Sequence, residues 1–503
     1  MNRSAIEYGD VQGLVRFGYG SLTEACFFLL KIRDASAARA WLRTAPVSTA
    51  VELKQAPPAA LQVAFTHEGL RALDVPSQVL AGFSAEFLSG MSGDESRSRR
   101  LGDVGSASPE NWQWGSSGRV PHLLVMLYAQ PDGLDAWRQA IQTPSWDAGF
   151  EVLDCLATSN LYGVEPFGFT DGISQPELDW NQGREVHGDQ LDYANSVCLG
   201  EFLLGYRNEY GKYTDRPLLE SSDTASSGLP SAEDSPEKRD LGRNGSYLVF
   251  RQLEQDVQGF WRFLNQQTNS DPAARQRLAE AMVGRRMKGE PLIPPSRNSI
   301  VGVDPADAPV NQFTYDADPD GTRCPFGAHI RRANPRNADL PSGTTGVLSR
   351  LWRTLGFGLK DFRDDVIAST RFHRLLRRGR EYGSGLTPDQ AIQTNQSGTG
   401  AHGIHFIALN ANISRQFEFV QSSWMMGTKF GGLTEESDPL LGNRQPVPGC
   451  PVTNTFSVAE KIGPRTRITG LPTFVTVRGG AYFFLPGIRA LDYIANVGAS
   501  GQR

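Results

Sequence analysis

Four segments of this chain repeat one plan, and that self-similarity constrains its fold more than any other feature. In each, an apolar run reads as a strand, a short polar break follows, and a helical run bearing Trp or Phe comes next. The first pairs Glu24–Ile32 with Ala37–Leu42, and the second pairs Pro121–Ala129 with Gly133–Arg138. The third pairs Ser246–Leu253 with Val257–Phe263, and the fourth pairs Gly403–Leu409 with Ser414–Val420. Strands of about 7 to 9 residues leading into helices with i, i+3, i+4 apolar spacing fit this pattern. Two such units fall in each half of the 503 residues, which predicts a duplicated α+β unit with a split β-α-β arrangement per half. Leu61–Phe65 and Phe474–Val477 are the candidate intervening strands. A stretch rich in Ser, Asp, Glu and Pro divides the halves, giving domains at 1–220 and 244–503 with a linker at 221–243. The second half carries a long loop-rich insertion between Asn265 and Thr370, and loops of that length are commonly functional.

Composition excludes several function classes. The apolar share of 39% and charged share of 21% describe an ordinary globular chain, and a net charge of −5 advertises neither nucleic acid nor an anionic membrane as partner. No apolar run approaches the roughly 18 residues of a membrane span. Residues 1–10 show neither a secretory apolar region nor a twin-arginine signal, so a cytoplasmic protein is expected. The five cysteines are scattered without Cys-x-x-Cys spacing, which suggests neither a disulfide framework nor a zinc ribbon. Phosphate-loop, zinc-protease and hydrolase-elbow motifs are absent. One G-x-G-x-x-G occurs at 398–403, but it leads into a strand where a dinucleotide site must follow one, so it reads as a loop.

Three short stretches carry possible chemistry. Cys324-Pro325-Phe326-Gly327-Ala328-His329-Ile330-Arg331-Arg332-Ala333-Asn334-Pro335-Arg336 sets one imidazole beside a guanidinium cluster. Neutral imidazole is the commonest transition-metal ligand and arginine suits carboxylates, yet alone the stretch favours a solvated loop histidine. Gly168-Phe169-Thr170-Asp171-Gly172 reads locally as a turn capped by aspartate. Arg377 sits in the basic run His373–Arg380, which by itself favours a solvated or ion-paired face.

Taken together and in order, these stretches resemble the dye-decolorising (DyP-type) haem peroxidases, over most of the chain. Further matches are Asp10–Gly13, Gly18–Gly20, Phe65-Thr66 with Gly69-Leu70, Asn244–Val249 and Arg478–Phe483. The long insertions resemble the larger, more elaborate branch of that family. The resemblance implies two ferredoxin-like α+β domains of antiparallel sheet and helices, with haem b in a cavity formed mainly by the second half. It implies one non-covalent haem per chain, and the missing Cys-x-x-Cys-His agrees that no thioether holds it.

Carried over by position, the resemblance makes His329 the iron ligand, Asp171 the distal acid–base residue and Arg377 the distal cation. Arg331 is expected at the cofactor's carboxylates. Ile404 and Phe406 are candidates for the apolar wall near the distal pocket, or for ordinary core. Asn412 occupies the place where relatives carry an acidic partner for the histidine, unless another carboxylate serves. Gly379 stands where some relatives carry asparagine. Cys324 is a rival ligand through sulfur, and the six other histidines read as structural. The function implied is oxidation of organic reductants, including bulky dyes and phenolics, by hydrogen peroxide through an oxidised haem. A non-catalytic haem carrier or sensor and a haem-iron-releasing protein are the alternatives. Nothing in the sequence sets an oligomeric state.

Overall fold

The computed structural model describes residues 5–184, 195–293, 310–315, 317–336, 355, 369–393 and 401–497. Nine strands make its main sheet: β1 Glu24–Ile32, β2 Ala59–Phe65, β3 Leu123–Ala129, β4 Phe150–Ala157, β5 Ser246–Gln255, β6 Leu376–Arg377, β7 Arg380–Tyr382, β8 Gly403–Asn410 and β9 Val475–Leu485. Their order is β6–β8–β5–β9–β2–β3–β1–β4, with β7 also on β8, and every neighbouring pair is antiparallel.

The first half runs β2–β3–β1–β4 and the second β6/β7–β8–β5–β9, the same permutation twice, so the fold is a duplicated ferredoxin-like unit. The helix after the first strand of each unit starts alike. Asp34 accepts from the Ala37 N–H at 2.7 Å to cap Ala35–Thr44, and Asp256 accepts from the Gly259 N–H at 2.8 Å to cap Val257–Gln267. Within the sheet the two units are joined by a single ladder pair, Phe484 of β9 opposite Phe65 of β2.

The central strands are apolar on both faces because both faces are covered. Cys26, Phe28 and Leu30 of β1 pack with Trp41 and Trp146 from the helical side, while Phe27 and Leu29 meet Leu14, Phe202 and Leu203 from irregular segments opposite. Two strand expectations need correction. Phe474–Val477 is not an intervening strand; it leads into β9, which closes the second unit beside β5. The intervening strand is instead the broken β6/β7, whose arginine-rich sequence lacks an apolar run. Residues 221–243 form a folded excursion in which Lys238–Asp240 pairs with Leu218–Glu220 and Leu229 and Leu241 are buried. In the glycine-rich run, 398–400 lie outside the described residues, and Gly403 opens β8.

Candidate active site

One cavity opens between the second unit's sheet and the elements packed over it. Leu253, Ile404 and Phe406 line it from β5 and β8, and His329 lines it from a short helix, His329–Ala333. Asp171 reaches the same cavity from the loop that follows β4.

That loop is shaped by backbone conformations only glycine adopts readily. Gly168 has φ +100° and Gly172 φ +78°, and a Cβ at Gly168 would meet Met287 at 2.9 Å. Glu165 clamps the turn: its carboxylate accepts from the Phe167 and Phe169 N–H groups at 3.0 Å and from Gln255 Nε2 at 2.7 Å. Burial, only partly offset by these donors, pushes the Glu165 carboxyl up to about 7. The Asp171 N–H then donates to the Gly163 carbonyl at 2.9 Å, which fixes where its carboxylate points.

Arg377 comes from β6, 206 residues away, and its Nη1 donates to Asp171 Oδ1 at 2.7 Å. Its own N–H donates to Gln175 Oε1 at 3.0 Å, so the loop carrying Asp171 also holds the strand carrying Arg377. About a third of each side chain is open, 33% for Asp171 and 29% for Arg377, and that opening faces the cavity they both line. The pair is therefore not solvated as a surface ion pair is. Burial pushes the Asp171 carboxyl up, but the charge and hydrogen bond of Arg377 outweigh it and hold it below the usual carboxylate range. No side chain joins them from position 379. A Cβ there would fall 2.5 Å from the His405 carbonyl oxygen, which restricts the site to Gly379.

His329 is held from behind. Its Nδ1 lies 3.0 Å from Asp438 Oδ2, and Asp438 Oδ1 accepts from the Leu440 and Leu441 N–H groups at 2.9 and 2.8 Å. Burial raises the Asp438 carboxyl, yet His329 and those donors hold it below its ordinary range. An ionised carboxylate only accepts, so the proton sits on Nδ1 and Nε2 keeps its lone pair. Nε2 has no hydrogen-bond partner among the described residues. Burial alone lowers the imidazole, but Asp438 outweighs it and makes the ring more basic.

The structure thus brings together Asp171, Arg377, His329, Ile404 and Phe406, and it separates two other expected residues from the cavity. Asn412 does not partner His329; its Oδ1 accepts from the Arg415 N–H at 2.8 Å and caps the turn after β8. Arg331 turns into the core, where its guanidinium donates to Asp318 Oδ2 at 3.1 Å and to the Cys324 carbonyl at 2.7 Å between the Tyr315 and Phe326 rings. Cys324 is buried and does not line the cavity, which removes it as a rival ligand there, and burial pushes its thiol up to about 12. His187 lies outside the described residues. His67, His122, His402 and His405 lie away from the cavity, whereas His373 lines it, its ring stacked on Phe419 at 3.7 Å.

The residues present fit a haem. Among the described residues no group of three His, Cys, Asp or Glu converges on a metal-ion site, so one imidazole suits a metal whose other ligands come from a macrocycle. Arg331 does not line the cavity, whereas Arg285, Arg336 and Arg374 do. Arg285 donates to the carbonyls of Gly289 and Val310 and to the Ser174 hydroxyl, with no carboxylate partner among the described residues. Burial and the neighbouring Arg336 charge pull it down to about 10, a strain that an anionic group in the cavity would relieve. Sequence reasoning missed Asp438, Glu165 and Gln175; the first sits in a stretch without strand or helix periodicity.

Known proteins share this arrangement's framework. No family model matches the chain. Peroxidase 2 of Mycetinis scorodonius is 29% identical over 514 residues, covering 97% of this chain and 87% of that protein. The dye-decolorizing peroxidase msp1 of the same fungus is 28% identical over 512 residues, with the same coverage of 97% and 87%. A crystal structure of a fungal DyP-type peroxidase from Auricularia auricula-judae is 25% identical, with a TM-score of 0.71, and the match covers 98% of this chain and 100% of that one.

Proposed function

Because this chain belongs to the dye-decolorising peroxidases, we propose that it oxidises organic reductants, bulky dyes and phenolics among them, with hydrogen peroxide. It is a haem enzyme, and haem b, non-covalent and one per chain, is the form we assign to the cavity. Bound haem supplies a Lewis-acidic iron and a macrocycle able to store oxidising equivalents.

His329 would hold the iron through Nε2, with Asp438 fixing the tautomer and orientation of the ring. Arg285, Arg336 and Arg374 would face the cofactor's carboxylates. Asp171, kept ionised by Arg377, takes a proton from one peroxide oxygen and returns it to the other, which leaves as water. Arg377 places a fixed positive charge where the departing oxygen gains electron density. Ile404 and Phe406 keep this side apolar, so the carboxylate and guanidinium act in a medium that does not screen them.

The observation that carries this reading is the sharing of one cavity by the Asp171–Arg377 pair and the His329–Asp438 pair. A haem carrier or sensor needs only the second pair. The test is the visible spectrum of the haem-loaded protein before and after one equivalent of peroxide, in wild type and in Asp171→Asn. The variant is expected to respond about 100- to 10,000-fold more slowly, the usual contribution of a positioned acid–base group. Equal rates would remove Asp171 as the base, and a protein that stays colourless with added haemin would overturn the whole reading.

A further inference from the structure

Two thiols lie together outside the cavity, on adjacent strands of the first unit. In the β1–β4 ladder Cys26 stands opposite Ala157 and Phe28 opposite Cys155, so the two cysteines are diagonal neighbours. Both face the helical side of the sheet, where Cys26 is 2% exposed and Cys155 is half-buried. The two thiols interact, each shifting the acidity of the other. The charged groups around them are Arg138 and Asp135, on the helix Leu134–Ile141 packed above, and Asp154 on β4 itself. Arg138 lies 5.5 Å over the ring of Phe28, the residue paired with Cys155.

We propose that Cys26 and Cys155 form a peroxide-responsive dithiol, which hydrogen peroxide converts into an intramolecular disulfide between β1 and β4. The proposal rests on the peroxidase reading only in that such a chain works where peroxide is present. The chemistry closes without another reactant. The Cys155 thiolate attacks one peroxide oxygen, the O–O bond breaks, and the departing hydroxide takes a proton to become water, leaving Cys155 as a sulfenic acid. The Cys26 sulfur then attacks that sulfur, the S–O bond breaks, and the lost oxygen leaves as a second water with the Cys26 proton. Two thiols and one peroxide become one disulfide and two waters, with two electrons passing to the peroxide.

The asymmetry of the pair sets the roles. The interaction with Cys26 and the charge of Arg138 lower the Cys155 thiol to about 7 against the opposing effect of burial, while the same interaction and burial push Cys26 upward. Cys155 is also the one that solvent reaches. Diagonal neighbours stand farther apart than directly opposed ones, so bond formation draws the strands together. That movement is possible because β4 is the outermost strand of the main sheet among the described residues and the ladder already shifts register between Leu29 and Leu30. The other cysteines, Cys198, Cys324 and Cys450, are buried and serve as internal controls.

The test is thiol mapping by mass spectrometry on the reduced, haem-loaded full chain, treated with excess peroxide and then alkylated. Residues 26 and 155 should lose alkylation together and yield a cross-linked peptide lighter by two hydrogens. Greater thiolate fraction, set against lower nucleophilicity, should make Cys155 react roughly five- to tenfold faster than a simple alkyl thiol at pH 7. In Cys26→Ser, Cys155 should stop at a sulfenic acid that dimedone traps; in Cys155→Ser, Cys26 should stay alkylatable. Oxidation of Cys155 to a sulfinic acid with Cys26 still alkylatable overturns the proposal, as does survival of both thiols. Because the oxidant is added directly and the readout is mass, the result is independent of turnover. Neither substitution should change peroxidase activity under reducing conditions, so failure of the peroxidase reading is seen separately.

Discussion

Asp438 holds His329 by a 3.0 Å hydrogen bond to Nδ1 while its second oxygen accepts two backbone N–H groups. The carboxylate is itself fully buried, so its negative charge is felt by the imidazole with little screening. Asp438→Asn keeps the shape and removes the charge. The ring then donates less electron density to a bound iron, which raises the ferric/ferrous reduction potential and lowers activity by about 10- to 100-fold. Spectroelectrochemical titration of the haem-loaded variant checks this, and an unchanged potential would show that Asp438 only orients the ring.

The Asp171–Arg377 bond predicts a pH profile with a definite sign. Asp171 acts when ionised, and its carboxyl is held below the ordinary range by Arg377. Peroxide reactivity should therefore persist as pH falls through the usual carboxylate range and disappear only below it. In Arg377→Leu the opposing influence, burial, is left in charge, so the acidic limb should move to higher pH. Stopped-flow rates of the peroxide-induced spectral change across acidic pH read both limbs directly. A limb that does not move would mean that Arg377 does not set the ionisation of Asp171.

Arg331 tests the difference between a cofactor residue and a core residue. Its bond to Asp318 joins two side chains exposed by only 2% and 1%, and removing one partner of such a pair costs about 3–5 kcal/mol because the other charge is stranded. Arg331→Met should lower the urea midpoint of the haem-free protein by a corresponding amount. The folded fraction should still bind one haem with the wild-type spectrum. Lost haem binding with unchanged stability would return Arg331 to the cofactor.

How much of this was visible in the sequence follows from which forces leave a pattern. β1, β3, β5 and β8 are buried on both faces and read as apolar runs, and the repeated order of apolar run, polar break and Trp- or Phe-bearing helix made the duplication legible. β4 is largely open to solvent along its length, and β6 and β7 are two- and three-residue pairings around Arg378 and Gly379, so no run announces them. Asp171 and Arg377 are 206 residues apart, and neither is distinctive locally. They were brought together by family resemblance rather than by periodicity. Asp438 stayed hidden because Glu436-Ser437-Asp438-Pro439 looks like any turn, and its partner lies 109 residues upstream. The misplacement of Arg331 shows the same limit, since a basic run does not say which of its guanidinium groups turns inward.

Ile404 and Phe406 were the two residues for which cavity wall and ordinary core were both open readings, and the structure gives them a measurable distinction. Both are partly exposed on β8, in contrast to the buried His405 and Ile407 that alternate with them, and their exposed surface faces the cavity. A core Ile→Ala or Phe→Ala substitution typically costs about 2–5 kcal/mol wherever it is measured, because contacts vanish and a void remains. A wall residue behaves differently, since in the haem-free protein one side of it already lacks partners. Ile404→Ala and Phe406→Ala should therefore destabilise the haem-loaded protein more than the haem-free one. Paired urea titrations of each variant with and without haem measure the difference, and equal losses in the two forms would make both residues core.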